Sequence, residues 1–390
     1  MKFTVALLGD EKPNDEFLAI LSNDAYIAEC IGTDKRLASI IPNYKVVTCS
    51  DNEANIRNDI IKQASSHHII WLHTTMQIEE ELFEEFEEYA QKGFSLVYPN
   101  VIINNQIKQS QNWYAHSLEL LQTFEIEKHI PKFGIYTNTK IIDHYDTQMS
   151  DFSFYAFLYK NIKKISLTLS ESSFIEFDDQ ENLDLSYKSA IIRQLPQWYD
   201  LKTELCPHLN WQNENVAYAT SYTLIGNTLL DIGDNYNAAT FYNRAYHFFA
   251  NSESMKNLIY AYYLMGEFQE AKKLLDTYPL DEQNQKNLNL NIENAQKLIS
   301  SLEDTIQQNP NQLIDFNELL QVYPGALMFN LEGVFHVFHN NLEKGYSALY
   351  NAAIRNPLNP DILHNLAGVA KILKKEEEIK QLYRRLLDPI

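Results

Sequence analysis

Cysteine and glycine are both scarce in this sequence. Its 390 residues include three cysteines, Cys30, Cys49 and Cys206, and none of them forms a Cys-x-x-Cys pair. This spacing argues against a disulfide scaffold and against a zinc cluster. The chain has 11 glycines beside 24 tyrosines and 20 phenylalanines. Such a balance suits packed helices and argues against a glycine-rich phosphate loop.

Basic residues and long apolar runs are scarce as well. The chain carries 32 lysines and arginines against 52 aspartates and glutamates, for a net charge of -20. Nucleic acids and anionic membranes attract basic surfaces, so this charge disfavours both as partners, and the alternative is that it serves solubility. The first apolar run ends at Gly9-Asp10, too early for a signal segment, and no later run is long enough to span a membrane. We therefore expect a cytoplasmic protein.

The second half of the chain echoes itself at a spacing of 33 or 34 residues. The echoed positions are Gly233, Ala238 and Tyr242 with Gly266, Ala271 and Leu275, and Gly345, Leu349 and Ala352 with Ile379, Tyr383 and Leu386. In helical sequence, a period of this length indicates stacked helix-turn-helix units, because one unit cannot bury its apolar face alone. The first 200 or so residues show no such period. We therefore predict an α/β domain over residues 1–205 and an all-α repeat array over residues 206–390.

The first half alternates short apolar runs with amphipathic stretches. This alternation predicts an α/β layer with a mostly parallel sheet. The predicted strands are 3–8, 26–31, 45–48, 68–72 and 94–103, and the predicted helices are 17–21, 52–64 and 78–89. Ligands of such sheets bind beyond the carboxyl ends of the strands, where Asp10, Asp34, Asp51 and His73 lie.

Parts of this half resemble family 2 glycosyltransferases of the GT-A fold. The resemblance runs through Asn55-Ile56-Arg57-Asn58 to the strand that ends at Leu72, and through residues 133–136 to Ser150-Asp151. It covers roughly residues 1–190. It implies a transfer of sugar from a nucleotide-sugar donor.

The resemblance also implies roles for individual residues. Asp151 would be the general base, with Asp10, Asp34 and Asp51 on the nucleotide's base or ribose. Arg57 would meet the diphosphate, and His73 with Thr75 would lie near the phosphates. Each residue also has an ordinary alternative: a helix N-cap for Asp151, turn formers for the other aspartates, a solvated helix residue for Arg57 and a satisfied polar residue for His73.

The metal site of that family is altered in this chain. Where the family carries an Asp-x-Asp motif for Mn²⁺ or Mg²⁺, this sequence reads His73-Thr74-Thr75. Hard cations prefer carboxylate oxygens, so this trio is a poor site for either ion. The alternatives are a transferase that dispenses with the metal, a changed donor site, or a domain that is not catalytic.

The second half resembles tetratricopeptide repeats. Four units fit the pattern, around residues 226–245, 258–279, 333–357 and 363–383, and residues 280–325 are helical but off-pattern. Arrays of this kind bind peptides or protein segments on a concave face, where Tyr222, Tyr260, Tyr263, His336 and His339 are candidates. The alternatives are packing support or a surface that pairs protomers into a homo-oligomer.

Together the two halves resemble bacterial glycosyltransferases that modify peptides and proteins. The leading hypothesis is sugar transfer to a protein, peptide or glycan acceptor, with the array binding that acceptor or pairing protomers. The rival is a non-catalytic scaffold that acts through protein binding. A third interpretation is that the front end is an unrelated α/β domain.

Overall fold

The computed structural model divides into two compact units, residues 1–182 and 183–390. The residues it describes are 1–48, 52–79, 81–103, 106–108, 126, 130–145, 153–176, 185–278, 280–309 and 312–387. The first unit is α/β and the second is all helical, as the sequence predicts.

Nine strands and four α-helices make up the described part of the first unit. The strands are β1 (Phe3–Leu8), β2 (Ile27–Gly32), β3 (Tyr44–Val46), β4 (His68–His73), β5 (Gln77–Ile78), β6 (Leu96–Ile103), β7 (Gln106–Lys108), β8 (Ile135–Asn138) and β9 (Leu167–Glu176). The helices are α1 (Asp15–Asn23), α2 (Glu53–Gln63), α3 (Leu82–Gln91) and α4 (Ser153–Asn161). The predicted helix 78–89 begins later than expected, because Ile78 ends the short strand β5.

The strands form one mostly parallel sheet in the order β3-β2-β1-β4-β8-β6-β9-β5, with β7 paired to β6. The strands β1, β2, β3 and β4 pair in parallel. Because β8 is antiparallel to both β4 and β6, and β9 is parallel to β6, the strands β6 and β9 run in the same direction as β1. Six of the nine described strands therefore share one direction, and β5, β7 and β8 oppose it.

The core of this unit is built from the continuous apolar faces of its central strands. All six residues of β1 are buried, and so are the four central residues of β4. Trp71 of β4 is fully buried, and its indole donates a 2.7 Å hydrogen bond to Thr137 Oγ1. Parallel strands that are covered on both faces have such unbroken apolar runs, and this is why the strand predictions in this region hold.

The described part of the second unit consists mainly of eleven α-helices. They are α5 (Leu185–Trp198), α6 (Glu214–Asp231), α7 (Asn235–Phe248), α8 (Ser252–Met265), α9 (Phe268–Thr277), α10 (Glu282–Gln308), α11 (Phe316–Val322), α12 (Ala326–Phe338), α13 (Leu342–Arg355), α14 (Pro360–Leu373) and α15 (Glu376–Leu387). Four successive pairs match the four predicted units: α6 with α7, α8 with α9, α12 with α13, and α14 with α15. The off-pattern stretch forms α10 and α11.

The helical unit begins earlier than the predicted boundary at residue 205. Helix α5 packs on α15, the last helix of the chain. The Nε of Arg385 donates a 2.8 Å hydrogen bond to Ser186 Oγ, and the Arg193 guanidinium donates to the Arg385 carbonyl oxygen. The repeat pattern gave no sign of α5, because this helix has no partner at the 34-residue spacing.

The turn inside each helix pair contains one residue in the left-handed conformation. These residues are Gly233, Gly266, Asn340 and Lys374, with φ of 85°, 81°, 60° and 59°. Glycine adopts this conformation without strain, asparagine tolerates it, and lysine seldom does. The repeated turn geometry therefore persists where the glycine itself is lost.

No described helix is both long and apolar enough to cross a bilayer.

Two glycines of this unit differ in the space available for a side chain. A Cβ on Gly333 would lie 2.4 Å from Leu349 Cγ, whereas a Cβ on Gly368 would meet no atom within 4 Å. We expect Gly333→Ala to cost about 1–3 kcal/mol by overpacking. The control Gly368→Ala should gain about 0.5–1 kcal/mol, because alanine favours the helix. Urea unfolding followed by circular dichroism measures both, and a Gly333→Ala variant as stable as the control would contradict the packing described.

Candidate functional site

The carboxyl ends of β1 and β4 lie side by side, and we call the edge around them the crevice, because open α/β sheets bind ligands at this position. From β1 the chain builds β2 and β3 on one side and β4 on the other, so the strand order reverses at β1. In parallel register, Leu8 lies opposite His73, and Leu7 lies opposite Gly32. Ligands of open α/β sheets bind outside the strand ends at such a reversal. Three of the four predicted strand-end positions, Asp10, Asp34 and His73, therefore lie at the edge where a site is expected, and Asp51 lies outside the described residues.

Gly9 is the closest point of contact between the two strand ends. Its φ is +103°, and a Cβ at this position would lie 2.4 Å from Thr74 Oγ1 and 2.8 Å from His73 Nε2. The Thr74 amide donates a 2.8 Å hydrogen bond to the Leu8 carbonyl oxygen and so joins the strand ends. Both the backbone conformation and the lack of space require glycine here.

Thr74 brings a buried hydroxyl to this contact. The residue is fully buried, and its Oγ1 has no hydrogen-bond partner among the described residues. Buried hydroxyl groups are normally paired, and a bound ligand or water is one way to satisfy such a group. In the sequence, Thr74 stands out only as the middle residue of the His73-Thr74-Thr75 trio.

His73 and Thr75 lie within hydrogen-bond distance of each other. The His73 Nδ1 is 2.8 Å from Thr75 Oγ1, and the imidazole packs on Phe133 with ring centroids 5.2 Å apart. The His73 amide donates to Met76 Sδ at 3.2 Å. These contacts fix the ring so that its Nε2 edge faces Gly9.

Arg36 joins the ends of β1 and β2. Its Nε lies 2.9 and 3.0 Å from the two carboxylate oxygens of Asp34, and its Nη2 lies 2.8 Å from Asp34 Oδ2. The same Nη2 donates to the carbonyl oxygen of Asp10. The hydrogen bond from Arg36 lowers the pKa of Asp34, whose carboxylate therefore stays ionised. The Arg36 side chain is 65% exposed, whereas that of Asp34 is 7% exposed.

Asp10 and Asp34 therefore meet at the crevice through an arginine that sequence analysis missed. The sequence feature that could have indicated Arg36 is a basic residue two positions after a turn-forming aspartate. In that arrangement the Asp34 side chain also accepts from the Arg36 amide and caps a 3₁₀ turn, Lys35–Ser39. The turn-forming alternative for Asp34 is confirmed by this cap.

Arg57 does not lie at the accessible edge of the sheet. It is fully buried, and its guanidinium carbon lies over four aromatic rings, those of Trp71, Phe133, Tyr145 and Phe154, at 4.7 to 5.6 Å. The expectation that Arg57 meets a diphosphate conflicts with this enclosure, and the alternative of a solvated helix residue is wrong.

The buried Arg57 has a carboxylate partner and a backbone acceptor. Its Nε lies 2.7 Å from Glu53 Oε1 one helical turn earlier, and its Nη2 donates to the Lys132 carbonyl oxygen at 3.1 Å. The arginine thus ties α2 to the segment that precedes β8. Its role in the structure is to hold these elements together.

The described residues supply no fitting donor set for a divalent ion. They contain no group of three or more histidine, cysteine, aspartate or glutamate side chains that could hold a metal. At the crevice, both carboxylate oxygens of Asp34 already accept from Arg36, and a cation beside them opposes a second one. Asp151, like Asp51, lies outside the described residues, so its predicted role as general base stays a prediction.

Comparison with known proteins gives low similarity throughout. No protein-family model matches the chain, and no curated protein matches it. Among solved structures it is similar to residues 1–349 of S. aureus TarS, with 11% identity and a TM-score of 0.42. The same TarS fragment in complex with UDP-GlcNAc gives 10% identity and a TM-score of 0.39. Each alignment covers 76% of this chain and 92% of the TarS chain.

Removal of the buried Arg57 distinguishes a structural role from a ligand-binding one. We expect Arg57→Met to lower the free energy of unfolding by about 3–5 kcal/mol, because Glu53 would lose its closer cation and keep only Lys132, whose Nζ lies 3.6 Å from Oε2. The double variant Arg57→Met/Glu53→Gln should recover part of this loss. The exposed Arg36→Met is the control and should cost about 1 kcal/mol or less. Guanidinium unfolding measures all three, and unchanged stability of Arg57→Met would contradict the structural role.

Proposed function

We propose that this chain transfers a sugar from a nucleotide-sugar donor to a protein, peptide or glycan acceptor. The observation that carries the proposal is the close contact between the ends of β1 and β4, where Gly9 meets His73 and Thr74, with the Arg36 guanidinium bonded to the adjacent Asp10 carbonyl oxygen. A donor of this class brings phosphate oxygens, and a guanidinium group suits them. The sequence resemblance to GT-A glycosyltransferases covers the same unit and supports the same donor class.

Each residue of the crevice has a separate role in binding the donor. Arg36 offsets the negative charge of the donor's phosphates, and His73 with Thr75 donates hydrogen bonds to them. The hydroxyl of Thr74 gains the partner that it lacks among the described residues. Asp10 contacts the ribose or base from the end of β1, and Asp34 holds Arg36 in place.

The transfer itself exchanges one bond for another at the anomeric carbon. The acceptor oxygen forms a bond to this carbon while the bond from the carbon to the β-phosphate oxygen breaks. The nucleoside diphosphate leaves with the bonding electrons, and a carboxylate takes the acceptor's proton. The sequence resemblance assigns that carboxylate to Asp151. No step is routed through a metal ion, because the described donor set does not fit one.

The helical unit supplies the acceptor side of this proposal. Four helix pairs with the same left-handed turn stack in sequence, and stacked pairs build extended surfaces that bind chain segments. We assign this unit to acceptor binding or to pairing of protomers. The rival, a non-catalytic scaffold, predicts the same surface without donor affinity.

A thermal-shift series tests the donor site. We expect one of UDP, GDP or CDP, or a sugar conjugate such as UDP-GlcNAc, to raise the melting temperature equally with and without Mn²⁺. Saturation at about 100 times the dissociation constant stabilises the folded state by about 2.7 kcal/mol.

Two variants give this series its specificity. Arg36→Met should reduce the shift, because the phosphates lose their cation. Arg244→Met, at an exposed arginine of α7, should leave it unchanged. An unchanged melting temperature with every nucleotide would contradict the transferase proposal and favour the scaffold.

A further inference from the structure

The helical unit contains a cavity that the sugar-transfer proposal does not use. It measures about 650 Å³ and lies between α11, α12 and α13. Cavities of about 300–1,000 Å³ are the usual size for small ligands and single side chains of a partner. We call it the Glu332 cavity, after the acidic residue of α12 that lines it.

One wall of the Glu332 cavity carries a carboxyl group that forms no ion pair with a lysine or arginine of the described residues. The Glu332 side chain is 20% exposed, and the nearest basic atom recorded among the described residues is His336 Nε2, 4.0 Å from Oε1. Burial raises the pKa of Glu332 and lowers that of His336. A carboxylate here therefore lacks the partner that would stabilise its charge.

His336 adds a buried polar atom without a partner to the same wall. Its Nδ1 is buried and has no hydrogen-bond partner in the described part of the chain. The opposite wall carries Lys344 of α13. The other acidic residue, Asp315, already accepts hydrogen bonds from the amides of Asn317 and Glu318. Glu332 and His336 are thus the groups whose hydrogen bonding a ligand would complete.

Apolar side chains form the rest of the lining. Phe316 of α11 is almost fully buried and packs on Phe335 with ring centroids 5.3 Å apart. Phe329 and Leu320 lie beside it in the lining. A ligand therefore meets aromatic and aliphatic surface next to the Glu332 carboxyl group.

We infer that the Glu332 cavity binds an organic cation, with a primary ammonium or guanidinium on Glu332 and an apolar body against Phe316. Hydrogen bonds between ionised partners are the strong ones in proteins, and aromatic rings attract cations as well. This chemistry has two sources: a lysine or arginine side chain of a peptide, or a free amine. The inference stands whether or not the first unit transfers sugar.

Isothermal titration of the full chain with matched compounds tests this inference. The cations are phenethylammonium and the peptide acetyl-Phe-Lys-Leu-amide. Their counterparts are 3-phenylpropionate, which reverses the charge, and the same peptide with acetyl-lysine, which removes it. We expect the cations to bind and their counterparts to bind at least about tenfold more weakly. Tighter binding of the peptide would identify a side chain as the ligand, and tighter binding of the free amine would identify a small molecule.

A pair of glutamate variants locates the binding. Glu332→Gln should weaken binding of the two cations about tenfold or more, because a charge-assisted hydrogen bond is lost. Glu303→Gln, at an exposed position of α10, should leave affinity unchanged. The inference is overturned if neither cation gives heat at millimolar concentration, if 3-phenylpropionate binds as well as its cationic analogue, or if Glu332→Gln binds like the wild type.

Discussion

The contact between Gly9 and the Thr74-His73 pair is the constraint on which the first unit's site depends. Strand β1 pairs in parallel with β2 on one side and β4 on the other, so three strand ends meet at one edge. A side chain at Gly9 would collide with Thr74 and His73. The lack of a Cβ therefore allows the two strand ends to close together and brings Thr74's hydroxyl and the His73 ring to the crevice.

The elements of the fold could be predicted from hydrophobic patterning, and the contacts between them could not. Unbroken apolar runs predicted five of the nine described strands, and helical periodicity predicted the paired helices of the second unit, whereas β5, β7, β8 and β9 were not predicted. Arg57 illustrates the limit: a lone arginine on a helix is usually solvated, and only the assembled unit shows four aromatic rings around it. Arg36 was missed for the same reason, because its partners lie at two strand ends that meet only in the folded sheet.

The second unit keeps its repeated turn conformation at positions where the glycine of the repeat is replaced. The left-handed turns at Asn340 and Lys374 occupy the place that glycine holds at Gly233 and Gly266. Stacking of the neighbouring helices supplies the stability that this strained conformation needs. Where the pattern fails, over residues 280–325, the structure instead forms the long α10 and the short α11. The irregular segment contributes Phe316 to the lining of the Glu332 cavity.

Hydrogen exchange with and without UDP-GlcNAc, and with GDP and CDP sugars in parallel, tests the central claim most directly. The claim is that ligands of the first unit bind at the reversal of strand order beside Gly9. The account predicts slower exchange in peptides that cover residues 8–12, 33–37 and 72–78, with no change in residues 326–355. Protection confined to another part of the chain, or no protection with any donor, would contradict it.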